Sequence, residues 1–263
     1  MKVINLTTNE GITTLLYPDN QPHLKITEPN EGEEVKIICS ITNSIELLHL
    51  LQCSDALTTL FCKKKELHIP YLMAARFDRA MQKGDSFDLR VIANLINLCG
   101  FEKVFLYDVH SEVATALIDN SINISNAALV EKYNKSNSVL ICPDAGAAKK
   151  IDTYLKINSN LSEVVYCTKV RDLSNGKLKL NVLEAENCYE RDCVIIDDLC
   201  DGGGTFIAIA DQIKPKSLTL VITHGIFSNG FSELEKRFNE IIVSDSYRSA
   251  YPSRIVNLVN LNP

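Results

Sequence analysis

Long apolar runs, closely paired cysteines and an excess of positive charge are all missing from this 263-residue sequence. No apolar run approaches the ~18 residues that a membrane-spanning helix needs, and the N-terminus shows no signal peptide. We therefore expect a cytoplasmic protein with no membrane partner. Its 27 basic residues are outnumbered by 33 acidic residues, which argues against a general nucleic-acid partner.

The nine cysteines lack the spacing of a zinc site. No Cys-x-x-Cys pair occurs, and no histidines stand at the distances that zinc ligands require. Cys39, Cys142 and Cys193 fall in apolar runs, where a thiol behaves as a small hydrophobic side chain. We expect free thiols rather than disulfides.

Short apolar runs alternate with helical patterns along the chain, without repeats or low-complexity segments. The predicted strands are Val35–Cys39, His68–Leu72, Lys103–Tyr107, Ser138–Ile141, Ser162–Cys167, Cys193–Ile196, Ser217–Thr223 and Glu240–Val243. The predicted helices are Ser44–Leu60, Phe87–Cys99, Ser111–Ile118, Ala145–Leu155, Thr205–Ile213 and Gly230–Phe238. This alternation predicts an α/β fold with mainly parallel sheets flanked by helices.

A segment without clear apolar period, Asn120–Tyr133, suggests the crossing between two domains. We divide the chain into domains 1–124 and 125–263, with the last ~15 residues as candidates to return to the first domain.

The most informative segment joins an apolar strand, two acids and a glycine loop. It reads Val194-Ile195-Ile196-Asp197-Asp198-Leu199-Cys200-Asp201-Gly202-Gly203-Gly204-Thr205. Backbone N–H groups at such a strand-to-helix turn can hold a phosphate. The adjacent carboxylates would repel a phosphate and suit the hydroxyls of a ribose instead. The alternative is a tight turn with two solvated acids.

Further polar clusters follow other predicted strands, and each is ambiguous by itself. Arg76, Asp78 and Arg79 suit a triphosphate, or form a surface ion-pair cluster. His110 suits a metal or phosphate contact, or is a satisfied histidine beside a helix cap. Asp144 suits a hydrated metal, or caps its helix.

Two more segments have equally plain alternatives. Lys169 and Arg171 alternate in a strand or hairpin, and form either a mobile cationic arm that closes over a phosphoryl group or an ordinary solvated hairpin. Tyr17-Pro18-Asp19 reads as an exposed turn.

Taken in order, these segments resemble the ribose-phosphate diphosphokinase (PRPP synthetase) family, whose domains are of the type I phosphoribosyltransferase kind. The resemblance rests on the following segments: Tyr17-Pro18-Asp19-Asn20-Gln21, Pro70-Tyr71-Leu72-Met73-Ala74-Ala75-Arg76-Phe77-Asp78-Arg79, Val91-Ile92-Ala93-Asn94-Leu95, Asp108-Val109-His110, Pro143-Asp144-Ala145-Gly146, Lys169-Val170-Arg171, the 197–205 loop and Thr223-His224-Gly225. It covers most of the chain.

The resemblance implies that diphosphate passes from ATP to the C1 hydroxyl of ribose 5-phosphate, giving PRPP and AMP. By the same likeness, ATP would contact residues of the first half, a sugar phosphate would contact the 197–205 loop, and Mg²⁺ would be held by His110 and Asp144. The implied ATP-binding residues are Tyr17, Asp19, Gln21, Arg76, Phe77, Asp78 and Arg79. The implied sugar-phosphate residues are Asp197, Asp198, Asp201, Gly202, Gly203, Gly204 and Thr205. Lys169 and Arg171 would be catalytic, and a homo-oligomer would share its nucleotide site between subunits.

The sequence also departs from the family pattern. Few residues precede Tyr17, so we expect a trimmed N-terminal domain, which puts the usual hexamer and its allosteric site in question. Phe77 replaces a common glutamine and Gln21 a glutamate. Gly202 stands where the family has threonine, which predicts more space around the phosphate and keeps ADP-ribose open as an alternative acceptor.

Two other functions remain open at this point. A base-using phosphoribosyltransferase needs only the 197–205 loop and leaves the first half of the chain unexplained. A non-catalytic regulatory relative would have no need for the cationic residues Lys169 and Arg171.

Overall fold

The computed structural model describes residues 1–27, 31–171, 178–261 and 263. The chain forms two compact units, of which the first is Met1–Ser125 together with Pro263 and the second is Asn126–Leu261. The division between them therefore falls after Ser125.

The first unit is a parallel sheet with helices and one hairpin. Its strands are β1 (Lys2–Asn5), β2 (Ile12–Leu16), β3 (Pro22–Ile26), β4 (Glu34–Ile38), β5 (Lys64–Ile69), β6 (Lys103–Tyr107) and β7 (Ser121–Ile124). Its helices are α1 (Ser44–Thr59), α2 (Asp88–Asn97) and α3 (Val113–Leu117). The five-stranded sheet has the order β1-β4-β5-β6-β7 with every pair parallel, and β2 and β3 pair antiparallel.

The helix α1 shows how the sequence builds this unit. The Asn43 side chain accepts hydrogen bonds from the N–H groups of Ile45 and Glu46, which satisfies two donors of the first turn. Leu47, Leu50 and Leu57 then recur on one face of the helix and are buried in the core. This face attaches the helix to the rest of the unit.

The second unit contains a larger sheet. Its strands are β8 (Ser138–Cys142), β9 (Leu161–Arg171), β10 (Leu178–Val182), β11 (Asp192–Cys200), β12 (Ser217–Gly225), β13 (Glu240–Ser244) and β14 (Val256–Val259). Its helices are α4 (Ala127–Val130), α5 (Ala145–Ala148), α6 (Ile151–Ile157), α7 (Gly204–Ala210) and α8 (Ser232–Glu235), with a 3₁₀ turn over Ala185–Cys188. The seven strands have the order β10-β9-β8-β11-β12-β13-β14, and only the edge strand β10 is antiparallel to its neighbour.

The central strands of this sheet are buried on both faces. Along β11, Cys193 and Ile195 pack into one apolar cluster, whereas Val194 and Ile196 pack into a second cluster on the other face. This two-residue alternation is the pleat of a strand covered on both sides. The predicted α/β class, with parallel sheets flanked by helices, is confirmed.

Several boundaries differ from the sequence-based expectation. The strand predicted at His68–Leu72 begins earlier, because the charged residues at the start of β5 pair along β4. The helix predicted at Ala145–Leu155 is divided into α5 and α6 at Lys149 and Lys150. The expected return of the C-terminal residues to the first domain is wrong for most of them, because β14 pairs with β13 in the second sheet.

Within the described residues 1–27, the start of the chain contains strands and no helix. β1 is present and occupies an edge of the first sheet, where it pairs with β4. The chain then passes through a bridge between Asn5 and Glu10 into the β2–β3 hairpin, so that within the described residues 1–27 no helix separates these strands.

Candidate active site

Two acids lie in the last part of β11, at the carboxyl edge of the second sheet. β11 runs past the predicted end at Ile196 as far as Cys200, and Asp197 is paired in register with Ile222 of β12. Asp198 is only 8% exposed, and its N–H donates to Asp197 Oδ1 at 2.9 Å. Both acids therefore belong to a paired strand, which fixes their positions. A turn with two solvated acids would not fix them in this way.

Negative charge is concentrated around this pair. Burial raises the pKa of Asp197 well above its ordinary value, and the nearby carboxylates of Asp198 and Asp144 raise it further. Carboxylates gathered in this way favour the binding of hydrogen-bond donors or a cation.

Asp144 caps helix α5. Its Oδ1 accepts hydrogen bonds from the N–H groups of Gly146 at 2.9 Å and Ala147 at 3.1 Å. The capping interpretation is therefore confirmed. A carboxylate has about four lone-pair sites, so the cap does not exclude a metal contact.

The glycine loop connects β11 to α7. Gly203 has φ +79°, a left-handed conformation that glycine adopts at little cost, and an added Cβ would lie 3.2 Å from Leu234 Cδ2. Gly204 begins α7, and Thr205 is its second residue. The turn predicted from the sequence is present, and its N–H groups form a short run before and within the first helical turn.

Gly202 lies in close contact with the side chain of Asn229. It is not among the residues with positive φ, but an added Cβ would lie 2.7 Å from Asn229 Nδ2. The same amide donates to the Gly202 carbonyl at 3.3 Å. The Asn229 amide occupies the space next to the Cβ position of Gly202, and the expected space around a phosphate stays a prediction.

A second loop, which follows β12, is joined to the first. The N–H groups of Ile226 and Phe227 both donate to the Cys200 carbonyl, at 2.9 and 3.1 Å. Ser228 donates from its N–H to the Asp201 carbonyl at 3.1 Å and from Oγ to Asp201 Oδ1 at 2.7 Å. Sequence reasoning missed this loop, although Thr223-His224-Gly225 directly before it was a signal of its presence.

The loop after β12 is anchored by aromatic packing. The Phe227 ring lies 4.6 Å from Phe231 and 5.4 Å from Tyr251, the latter in edge contact. Tyr251 also donates its hydroxyl to the Gly225 carbonyl at 2.8 Å. These contacts anchor the loop to the residues that follow it in the second unit.

His224 belongs to a buried polar group behind the loop. Its Nδ1 lies 2.9 Å from Ser246 Oγ, and that hydroxyl donates to the Thr223 carbonyl at 2.9 Å. His224 is 4% exposed and Ser246 is fully buried. The network ties β12 to the end of β13.

The residues of the predicted cationic arm lie in β9, next to the edge strand β10 of the second sheet. Lys169 and Arg171 are backbone positions of β9, paired in register with Leu180 and Leu178 of β10, so the predicted hairpin is found. Residues 172–177, including the predicted Asn-Gly turn, lie outside the described residues. The side chains of Lys169 and Arg171 lie outside them as well.

In the first unit, Asp78 and Arg79 form an ion pair, and Asp78 also contacts Ser111 in the segment that follows β6. Arg79 Nε donates to Asp78 Oδ1 at 2.8 Å and Nη2 donates to Oδ2 at 3.1 Å, while Ser111 Oγ donates to Oδ2 at 2.7 Å. The hydrogen bonds from Arg79 and Ser111 lower the pKa of Asp78 to about 2, and the charge of His110 contributes. Two of the predicted segments are thus brought together.

The surroundings of this ion pair are open. Arg76 is exposed, Phe77 is 60% exposed, and His110 is exposed directly after the buried Val109. Asp108 is buried with φ +44°, and its N–H donates to the Ile124 carbonyl at 2.7 Å. The turn at Asp108 therefore brings His110 to the surface beside Asp78.

The remaining ATP-binding candidates lie on the β2–β3 hairpin. Its turn is closed by bonds from Tyr17 N–H to the Gln21 carbonyl at 2.9 Å and from Gln21 N–H to Asp19 Oδ1 at 3.2 Å. Tyr17 is 47% exposed at the tip. Gln52 of α1 donates to the Pro22 carbonyl at 2.8 Å, which attaches the hairpin to the helix.

Comparison with known protein families identifies the class to which this fold and these loops belong. The profile of the phosphoribosyl transferase domain family matches residues 110–251, more than half of the chain, and the chain belongs to this family.

Individual relatives indicate a narrower group within this family. The ribose-phosphate pyrophosphokinase of Agrobacterium fabrum is 27% identical across 95% of this chain and 85% of its own length. That of Maricaulis maris is 27% identical across 88% of this chain and 77% of its own. These relatives confirm the resemblance to the diphosphokinase family.

A solved structure extends the likeness to the whole fold. The phosphoribosylpyrophosphate synthetase of Mycobacterium smegmatis matches with a TM-score of 0.84, covering 100% of this chain and 96% of that chain at 16% identity. At this identity the match establishes the fold.

Two further findings bear on cofactors and partners. Among the described residues, no group of three His, Cys, Asp or Glu side chains is placed to hold a metal ion. In the same part of the chain, no helix has both the length and the apolar character needed to cross a membrane.

Proposed function

We propose that this protein transfers a diphosphate group from ATP to the C1 hydroxyl of ribose 5-phosphate, which gives PRPP and AMP. The observation that carries the proposal is the match of ribose-phosphate pyrophosphokinases across up to 95% of the chain. A base-using phosphoribosyltransferase would not account for the part of that match that lies in the first unit.

The second unit would hold the sugar phosphate. The carboxylates of Asp197 and Asp198 accept hydrogen bonds from the ribose hydroxyls, which offset part of the negative charge gathered here. The backbone N–H groups of Gly203, Gly204 and Thr205 receive the 5′-phosphate. Asp201 acts indirectly, because its carboxylate is bound by Ser228 and fixes the loop.

The first unit would hold ATP. The Arg79 bonds to Asp78 use two of the five guanidinium donors, so others remain for a phosphate. Arg76 adds a second guanidinium beside this pair, and the exposed Phe77 ring offers a face to a base. Tyr17, Asp19 and Gln21 on the hairpin are the candidates for completing a nucleotide site in a neighbouring copy of the chain.

In the transfer step, the C1 hydroxyl oxygen attacks the β-phosphorus of ATP and forms a new P–O bond. The bond between the β-phosphorus and the oxygen that bridges to the α-phosphate breaks, AMP leaves with that oxygen, and the hydroxyl proton passes to solvent. Negative charge grows on the transferred group, and Lys169 and Arg171 would stabilise it. Such reactions depend mainly on alignment and charge stabilisation.

The donor set fits Mg²⁺ bound largely by substrate. Magnesium usually takes one or two protein carboxylates and completes its shell with phosphates and water. Asp144, which lies close enough to raise the pKa of Asp197, offers such an oxygen, and His110 offers an imidazole in the first unit. When bound, the ion would neutralise the phosphates of ATP.

The decisive experiment measures AMP formed from ATP and Mg²⁺ with different acceptors. We expect AMP with ribose 5-phosphate in the absence of any nucleobase, and little with ADP-ribose or with no acceptor. A clear preference for ADP-ribose would replace the proposed acceptor. The absence of AMP with every acceptor, in a well-folded sample, would refute the proposal.

The catalytic assignment is tested by Lys169→Ala. Loss of one stabilising charge in the transition state typically lowers kcat by about 10²–10³, and we expect that loss with an unchanged melting temperature. Lys132→Ala, at an exposed position of the same unit, is the matched control and should retain full turnover. Near-normal turnover of Lys169→Ala would remove Lys169 from the mechanism.

A further inference from the structure

The space next to Gly202 in the glycine loop is filled by the side chain of Asn229, which lies in the loop after β12. An added Cβ at Gly202 would meet Asn229 Nδ2 at 2.7 Å and Asn229 Cγ at 3.4 Å. Real Cβ contacts are not this short, so a side chain at 202 and the present position of the Asn229 amide exclude one another. The Asn229 amide therefore occupies the position that the Cβ atom of a larger residue at 202 would need.

This position of Asn229 follows from the backbone around it. The residues before it are bonded to Cys200 and Asp201, and the Gly230 N–H donates to the Phe227 carbonyl at 2.9 Å. Phe227 is fixed between Phe231 and Tyr251. The backbone of Asn229 is thus positioned beside the glycine loop, and the residue itself is exposed and open to a ligand.

The amide also has unused hydrogen-bonding capacity. A side-chain NH₂ carries two donors, and the bond to the Gly202 carbonyl, at 3.3 Å, engages one of them. The neighbouring carbonyl is thereby partly neutralised, which lowers repulsion toward an anion. A neutral NH₂ next to Gly202 is a donor of the kind that a phosphate oxygen accepts from.

We infer that Asn229 takes the place of the side chain that Gly202 lacks and donates to the 5′-phosphate of the acceptor. The inference rests on the proposed function, since it concerns the same sugar-phosphate site. It makes Asn229 a further binding residue, and it makes residues 202 and 229 a coupled pair in which only one can carry a side chain at this point.

The first test is binding of ribose 5-phosphate by titration calorimetry with the full chain. We expect Asn229→Ala to weaken binding about tenfold and Asn229→Asp, whose charge opposes the phosphate, to weaken it more. Asn257→Ala, at an exposed asparagine of β14, is the matched control and should bind as the wild type does. Affinities of both Asn229 variants within twofold of the wild type would overturn the inference.

The second test measures the coupling. Gly202→Ala should displace the Asn229 amide and weaken ribose 5-phosphate binding about as much as Asn229→Ala, and the double variant should be no weaker than either. Gly202→Thr combined with Asn229→Gly should restore affinity to within about threefold, since the hydroxyl then replaces the amide. Strictly additive losses would overturn the pairing.

A spectroscopic readout separates this inference from the proposed function. The side-chain NH₂ resonances of Asn229 should shift when ribose 5-phosphate or inorganic phosphate is added, and should not shift with ribose. If the wild type binds ribose 5-phosphate and forms AMP while these resonances stay fixed, only the role of Asn229 is refuted. If it neither binds the sugar phosphate nor forms AMP, the proposed function fails first and the inference fails with it.

Discussion

Replacing Asp197 with asparagine should make the protein more stable and at the same time inactive. The Asp197 carboxylate is partly buried beside Asp198, and its folded-state pKa is raised well above the ordinary value. The stability that comes from the protonated form is fully present below the unfolded pKa and is lost as pH rises through the folded pKa. At neutral pH, which lies above the unfolded pKa, this stability is reduced, and a neutral asparagine removes that cost.

The expected size follows from the local structure. An asparagine side chain at this position would keep an oxygen to accept the Asp198 N–H, now bonded at 2.9 Å, so the substitution removes charge without removing this bond. Leaving a buried polar group uncompensated costs about 1–3 kcal/mol, and a charged group costs more. For a unit of this size, a gain of 1 kcal/mol raises Tm by about 3–5 °C.

Thermal unfolding at several pH values and AMP formation are the two assays. Asp197→Asn should raise Tm by about 3–10 °C at pH 7, with a smaller gain at acidic pH, and should lower the affinity for ribose 5-phosphate by about tenfold or more. Asp192→Asn is the matched control on the same strand. Its pKa is lowered by the Ser217 hydroxyl and Lys216, so that variant should lose stability. A lower Tm for Asp197→Asn at pH 7 would refute the reasoning.

Two other substitutions test the geometry of the loops. Gly203→Ala places a Cβ at φ +79° and 3.2 Å from Leu234, so we expect a loss of about 1–2 kcal/mol in the free energy of unfolding, measured by denaturant titration; unchanged stability would contradict the left-handed turn. Ser111→Ala removes the 2.7 Å hydrogen bond to Asp78 and should raise the pKa of that carboxyl from about 2 toward its ordinary value, as followed by carboxyl NMR titration. If that titration does not move, the contact between the two segments is not formed in solution.

Much of the fold was predictable because its signals are local. The central strands β8, β11, β12 and β13 consist of apolar residues buried on both faces, and such runs are visible in the sequence. The strands that were not predicted are short and half exposed, as in β2, β7 and β14. Such short, partly exposed strands leave no clear apolar run or alternation in the sequence.

The candidate site also has a part that could be predicted from the sequence and a part that could not. The acids and the glycine loop lie in one continuous segment, so sequence reasoning found them together. The role of Asn229 was not visible, because the contact at Gly202 depends on a loop that lies a whole strand and helix later in the chain. The expected space around a phosphate at Gly202 was inferred from one residue alone, without knowledge of the Asn229 contact.

The Cys200 carbonyl accepts two N–H groups from the loop after β12, and this shared acceptor has an evolutionary consequence. Insertion or deletion of a residue in either loop would shift its hydrogen-bonding partners relative to the other. The lengths of the two loops should therefore change together in evolution. A residue lost at the tip of one loop should be replaced by a residue at the tip of the other. In descendants of this protein, compensating substitutions are to be sought across the pair of loops rather than within either one.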